Sequence, residues 1–204
     1  MISFDDIRIY LPKYLSETAS ISLFDELSQF PDNIDSRIYS QAVAIENSEV
    51  LQGDGLSSLS VVNLPDTRIQ AVNAMVISNS CDINPENQRL FSSSICYSPI
   101  YALAKYHESL RVRLGRFYYS KIDQLVSEIR SQRITQIFYL PRGGSLEYEG
   151  FIFFDRICSC DNSTIPRSGL NDRRLFSLSN YGFYLFLFKL SIHFTRVREG
   201  LDRT

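Results

Sequence analysis

Residues 52–78 read QGDGLSSLSVVNLPDTRIQAVNAMVIS, and this stretch carries the strongest fold signal in the chain. It opens on a tight turn at residues 52–55, because Gly and Asp favour sharp turns. Residues 58–64 alternate in the manner of a strand up to Pro65, and residues 69–78 contain a second apolar strand segment. The stretch therefore predicts two neighbouring strands joined by a short loop that carries Arg68.

The sequence on either side of this stretch predicts further strands and several helices. Apolar spacing and turn signals predict strands over residues 94–100, 137–140 and 150–157, and helices over residues 21–30, 101–113, 120–133 and 181–198. Ser120 and Asp123 have the spacing of a capping box for the third of these helices. Because strands outnumber crossover helices, the order favours an α+β fold with a small barrel or curled sheet over a doubly wound sheet.

Composition and charge are those of a globular protein with unlike ends. The chain has 204 residues, 44% of them hydrophobic and 22% charged, which excludes wholesale disorder. Residues 1–60 hold three basic and ten acidic side chains, whereas residues 163–204 hold seven basic and three acidic ones. We expect an acidic N-terminal cap or extension over residues 1–45 and one β-barrel domain over residues 46–204, with a helical insertion at about residues 101–133. The charge split indicates either two solvated faces or an acidic segment that occupies a basic groove in cis.

The cysteines, histidines and apolar runs argue against a metal site and a membrane span. The first ten residues have no basic start and no apolar run, so we expect a cytoplasmic protein with reduced thiols. Cys158 and Cys160 are too close together for a usual zinc pair, and His107 and His193 stand alone. Residues 182–194 are apolar but too short to cross a bilayer. We therefore expect no metal, no other cofactor and no membrane association.

Four short landmarks follow one another in a recognisable order. They are GD at residues 53–54 with VVNLP at 61–65, MVISN at 75–79, CYSPI at 96–100, and FDRI at 154–157 with DRRL at 172–175. In this order they resemble the MazF/PemK-like toxin family, and the resemblance covers residues 53–195. It implies a small SH3-like β-barrel with inserted helices and a C-terminal helix.

The resemblance also implies a function. Members of this family cleave RNA without a metal, as toxins of toxin–antitoxin or phage-defence systems. Arg68 corresponds to the family's loop arginine, and a guanidinium fork suits a scissile phosphate because it binds and stabilises negative charge. The resemblance thus assigns catalysis to Arg68, and Ser98 is the second catalytic candidate because it is the nearest hydroxyl to the place of the family's catalytic threonine. It further implies RNA as substrate, an antitoxin or other protein partner, and a homodimer.

Further substrate contacts are predicted beside these landmarks. Asn79, Asp82 and Tyr101 lie at or just after the ends of the matching strands. Arg142 precedes two glycines, so that a cation and backbone N–H groups are offered together to a phosphate. The alternative interpretation of Arg142, Gly143 and Gly144 is a plain hairpin loop.

Two departures from the family pattern favour a second function. Asn73-Ala74 stands where the family has Arg-Pro, and Tyr101 stands where it has Thr. The alternative is therefore a catalytically inactive barrel that serves as a protein-binding or nucleic-acid-binding module.

Two other patterns have competing interpretations. Cys81 beside Asp82 is either a nucleophile that uses His107 as its base or a turn closed by a local cap. The arginines at 111, 113 and 116, followed by tyrosines at 118 and 119, either form the mixed surface of a single-strand RNA site or place cations at a helix end for its dipole.

Overall fold

The protein is an α+β structure with two antiparallel sheets. The structure is a computed structural model that describes residues 17–41, 49–63, 65–87 and 90–195. The helices in these ranges are α1 (Glu17–Ser28), α2 (Ser80–Ile83), α3 (Leu103–Leu114), α4 (Tyr119–Arg130), α5 (Leu170–Arg173) and α6 (Asn180–Thr195). The strands are β1 (Gly55–Asn63), β2 (Asp66–Val76), β3 (Ser94–Pro99), β4 (Tyr101–Ala102), β5 (Ile137–Leu140), β6 (Gly150–Phe153), β7 (Cys158–Asp161) and β8 (Arg174–Phe176). The α+β prediction is confirmed.

The hairpin of β1 and β2 extends further than the sequence indicates. Its register pairs Val62 with Ile69 and Asn63 with Asp66, so β2 begins directly after Pro65. A connection this short lets strand pairing continue to the end of the ribbon. Arg68 is therefore a strand residue, and the prediction that it lies in a loop is wrong. Residues 66–71 of β2 are all exposed, so this end of the ribbon projects from the molecule.

The two sheets share one bent segment of chain. The larger sheet has the order β7-β3-β2-β1-β8, and the smaller sheet has the order β4-β6-β5. β3 ends at Pro99 and β4 begins at Tyr101, so Ile100 is the corner at which the chain leaves one sheet and enters the other. The Ile100 N–H donates to the Asn73 carbonyl at 2.8 Å, which fixes this corner against β2. The two sheets remain distinct in the residues described here, and neither closes on itself.

Three buried clusters hold these layers together. The largest places α6 and the N-terminal segment against the two sheets, with Phe138, Phe154 and Phe186 fully buried. The second lies on one face of the larger sheet and includes Tyr97. The third packs α3 and α4 onto the smaller sheet. Each fully buried Leu, Ile or Phe contributes about 1.5–3 kcal/mol of transfer free energy. Burial of residues such as Leu103 and Ile129 therefore stabilises the packing of α3 and α4, which together form a helical hairpin, on the smaller sheet.

Part of the N-terminal segment packs into the main core. Leu23 and Ile38 are buried in the largest cluster, and Tyr39 forms a bridge with Leu178 just before α6. Gly182 makes this approach feasible, because a Cβ there would stand 2.2 Å from the Ile38 carbonyl oxygen. Residues 1–16 and 42–48 of the expected cap and its junction lie outside the described residues.

Several local predictions need correction. α4 begins at Tyr119, and no side chain caps its first turn, so the capping box at Ser120 and Asp123 is wrong. Asp123 instead contacts α3, as described below. The predicted strand over residues 150–157 is shorter and is followed by β7, which the sequence analysis missed. No described helix has both the length and the apolar character required to cross a bilayer.

Candidate nucleic-acid interface

Arg68 lies at the projecting end of the β1–β2 ribbon. Its side chain is 80% exposed and forms an ion pair with Asp66 at 2.6 Å. β2 contacts β3 at the other end, where Met75 is the register partner of Ser98. The seven residue-to-residue steps from Arg68 to Met75 span about 20 Å of strand. The fold therefore does not bring Arg68 and Ser98 together.

Ser98 and Tyr101 lie on the bent segment between the sheets. Ser98 is fully buried, and its Oγ donates to the Phe153 carbonyl at 2.9 Å. This hydrogen bond ties β3 to β6 and leaves the hydroxyl no access to solvent. Tyr101 is half-buried, with its ring stacked on Phe151 at a centroid distance of 5.7 Å. Ser98 thus supports the junction on which Tyr101 is displayed.

The remaining predicted contacts lie in turns. Asn79 caps α2, because its side chain accepts a hydrogen bond from the Cys81 N–H at 2.9 Å. This geometry confirms the interpretation of residues 79–82 as a locally capped turn. Asp82 is exposed in the first turn of α2, and Arg142 is exposed in the loop that Gly143 closes by its bridge with Leu146.

His107 takes part in a different cluster from Cys81. Its Nε2 lies 2.7 Å from Asp123 Oδ1, and Arg111 donates to both oxygens of the same carboxylate at 2.9 and 3.0 Å. The hydrogen bond with His107, followed by the guanidinium of Arg111, lowers the pKa of Asp123. Asp123 therefore joins α3 to α4, which explains why it does not cap its own helix.

The described arginines of the C-terminal segment have structural roles. Arg167 donates to the Ile165 and Ile83 carbonyls, and Arg173 donates to the carbonyls of residues 57 and 58. Arg174 contacts the buried carboxylate of Asp54 at 3.3 Å. Because backbone oxygens and one carboxylate occupy these guanidinium groups, they are not available for an anionic partner.

The turn between α3 and α4 displays aromatic rings. α3 ends at Gly115, whose φ of +77° suits glycine, and the chain then forms a 3-10 turn over Arg116–Tyr118. This reversal directs Phe117 away from the core, and its side chain is 90% exposed. Its ring stands edge-on to Tyr118 at a centroid distance of 5.5 Å, and the Lys121 ammonium lies 5.9 Å from the centre of the Tyr118 ring.

Unpaired positive charge surrounds these rings. Residues 103–133 contain seven basic and three acidic side chains. Arg113, Arg116 and Lys121 are exposed and form no ion pair with any residue that the structure describes. We call the set of Arg113, Arg116, Phe117, Tyr118 and Lys121 the basic aromatic corner. Cations and stackable rings on one exposed turn suit the backbone and the bases of a single-stranded nucleic acid.

The sequence pointed to the arginines of this surface and missed Phe117. The signal in the sequence was the mixture of arginine and tyrosine over residues 111–119. Two of these residues, Arg111 and Tyr119, lie in the contact between α3 and α4. Their stacking, with 4.5 Å between the guanidinium carbon and the ring centre, stabilises the hairpin. Gly115 between two helical segments was the signal for the exposed turn.

No group of three or more potential metal ligands occurs among the described residues. Comparison with known proteins adds no relative, since no protein-family model and no curated protein match the chain. The interface is therefore defined by its own geometry and charge.

Proposed function

We propose that this protein binds single-stranded RNA through the basic aromatic corner. The observation that supports the proposal is Phe117, a phenyl ring 90% exposed between cations that form no ion pair in the described structure. Leaving such a ring in water forgoes about 1.5–3 kcal/mol of burial free energy. Stacking on an unpaired base is one way in which the ring recovers it.

The distribution of charge is compatible with this local mode of binding. The whole chain has a net charge of −2, so its overall field does not attract nucleic acid. The helical hairpin region of residues 103–133 has an excess of four basic side chains over acidic ones. Affinity for RNA would therefore depend on local groups of cations such as those of this region.

Binding has more support than cleavage by the predicted pair. Ser98 is buried beneath the sheet junction, and Arg68 is about 20 Å of strand away from it. A metal-independent endoribonuclease of the MazF/PemK-like type remains the second candidate function. Its support is the order of the four landmarks and the passage of the chain from one sheet to the other at Ile100.

Replacement of Phe117 tests the proposal. Phe117→Ala should weaken binding of a fluorescently labelled 15-nucleotide single-stranded RNA about 5- to 150-fold, because base–aromatic stacking contributes about 1–3 kcal/mol. The thermal midpoint should be unchanged, since the side chain has little burial to lose. Fluorescence anisotropy and a melting curve measure the two quantities.

The matched control is Phe188→Ala, which removes another exposed phenyl ring, 54% exposed on α6. We expect this variant to bind RNA as the unaltered protein does. Equal affinities of the unaltered protein and Phe117→Ala, or equal losses in both variants, would contradict the proposed role of the corner. Binding of duplex RNA as tight as that of the single strand would also contradict it, because paired bases cannot stack on Phe117.

A further inference from the structure

Arg156 lies over an aromatic platform formed by Phe153 and Tyr101. Its guanidinium carbon lies 4.1 Å from the centre of the Phe153 ring and 5.2 Å from the centre of the Tyr101 ring. The two rings meet edge to face at 5.5 Å, and Phe153 is only 8% exposed. The platform is therefore fixed by β4 and β6, and it orients the guanidinium before any ligand arrives.

The N–H donors of this guanidinium are not used by the protein. Arg156 is exposed, and its side chain has no hydrogen bond or ion pair with any residue in the described ranges. The neighbouring carboxylate of Asp155 accepts a hydrogen bond from Gln136 at 2.6 Å. No carboxylate of the described residues lies within 4.0 Å of the Arg156 guanidinium nitrogens.

Arg111 provides a comparison within the same molecule. Its guanidinium also stacks on a ring, that of Tyr119, and it binds both oxygens of Asp123. Ring stacking leaves the in-plane donors of a guanidinium free for an oxyanion, and in Arg111 the Nη2 group donates to both oxygens of a carboxylate. In Arg156 the equivalent place is open to solvent.

The geometry points to Arg156 as a binding site for a phosphate group, held by the N–H donors of a guanidinium that lies over Phe153 and Tyr101. In the setting of the proposed function, on which this assignment of the ligand rests, the phosphate belongs to the bound RNA strand. Tyr101 leads directly into α3, and the basic aromatic corner lies at the far end of that helix, about 20 Å away. A single strand that runs along α3 would contact both sites.

The salt dependence of RNA binding tests the site. For single strands, the slope of log K against log salt concentration falls by about 0.7 for each phosphate contact that is lost. We expect Arg156→Ala to reduce the slope by about that amount, and Arg156→Lys to retain the slope while binding less tightly, because an ammonium cannot form the stacked bidentate contact. The charge-matched control Arg37→Ala removes an exposed arginine that is paired with Asp35, and its slope should not change.

A second measurement separates this inference from the proposed function. The Arg156 Nε–Hε NMR signal, assigned by its loss in Arg156→Lys, should shift in inorganic phosphate and not in chloride of equal ionic strength. If RNA binds and Arg156→Ala leaves the slope unchanged, the phosphate site is wrong and the proposed function stands. If the protein binds no single-stranded RNA, the proposed function is wrong. The site is then upheld by the phosphate-specific shift of the NMR signal and overturned by its absence.

Discussion

Lys189 is a buried cation whose three hydrogen-bond partners are all neutral oxygens. Its side chain belongs to α6 and is 5% exposed. Its Nζ donates to the Gln132 carbonyl at 2.7 Å, to Gln132 Oε1 at 2.9 Å and to the Ile134 carbonyl at 3.0 Å. Gln132 also binds both backbone groups of Tyr139. One ammonium group therefore fixes the connection between α4 and β5 to the C-terminal helix.

This arrangement makes stability depend on pH. Burial lowers the pKa of Lys189 to about 7, whereas an unfolded chain has a lysine pKa of about 10.5. Between these values the unfolded state binds more protons, so the free energy of unfolding rises with pH, by up to about 1.4 kcal/mol per pH unit. Urea unfolding between pH 7.5 and 9 should show this rise, and it should be absent in Lys189→Met.

Lys105→Met is the control for that experiment, since Lys105 is exposed in the first turn of α3. The difference in the free energy of unfolding between the unaltered protein and Lys105→Met should not vary between pH 7.5 and 9. Parallel stability curves for the unaltered protein and Lys189→Met would show that Lys189 keeps an ordinary pKa in the fold.

At the scale of elements, the start of β1 and the start of β8 are joined by a buried ion pair. The Asp54 carboxylate accepts hydrogen bonds from Ser177 Oγ at 2.6 Å and from the Leu51 N–H at 3.0 Å, and it lies 3.3 Å from Arg174 Nε. Burial raises the pKa of Asp54, while these three partners act in the opposite direction. Short strands such as β8 have few ladder hydrogen bonds, so this contact secures the edge of the sheet.

Loss of one partner should therefore be costly. Arg174→Met leaves the Asp54 carboxylate buried without its cation, and we expect the free energy of unfolding to fall by about 3–5 kcal/mol. Arg173→Met is the matched control, because among the described residues that guanidinium bonds only to the carbonyls of Ser57 and Ser58. Its loss should cost about 1 kcal/mol. Similar denaturation midpoints for the two variants would contradict the role assigned to the ion pair.

The sequence predicted those elements whose signals are local. β5 occupies residues 137–140 as expected, and α3 and α4 begin and end within three residues of the expected positions. β7 was missed because it has only four residues, in which the alternation of the half-buried Cys158 and Cys160 with exposed polar residues is too short to be distinctive. It forms because β3 offers an edge, on which Ile95 pairs with Cys160 and Tyr97 pairs with Cys158.

The candidate site was less predictable for a related reason. Asp123 has the spacing of a cap, but tertiary contacts with His107 and Arg111 recruit it instead. The exposure of an aromatic residue such as Phe117 depends on how the neighbouring helix, α4, packs against the smaller sheet. Periodicity within one segment contains no information about that contact.

At the scale of the whole molecule, the features that suit RNA are separated from the residues assigned to catalysis. The basic aromatic corner lies at the outer end of α3, Ser98 is buried between the sheets, and Arg68 lies at the tip of a different hairpin. A catalytic site requires its groups to meet at one scissile bond within about 3–3.5 Å. This layout favours a protein that holds a single strand over one that cuts it.

Incubation with a long RNA of mixed sequence, in the presence of a chelator, distinguishes binding from cleavage. We expect the RNA to stay intact while it is bound, because Arg68 and Ser98, the residues assigned to catalysis, lie apart from each other and outside the corner. Mapping of new RNA ends after incubation checks this directly. Discrete cuts by the unaltered protein that disappear with Arg68→Ala would instead establish the metal-independent endoribonuclease. They would also mean that Arg68 acts on the scissile phosphate from the projecting hairpin without Ser98, because the Ser98 hydroxyl is buried in another part of the fold.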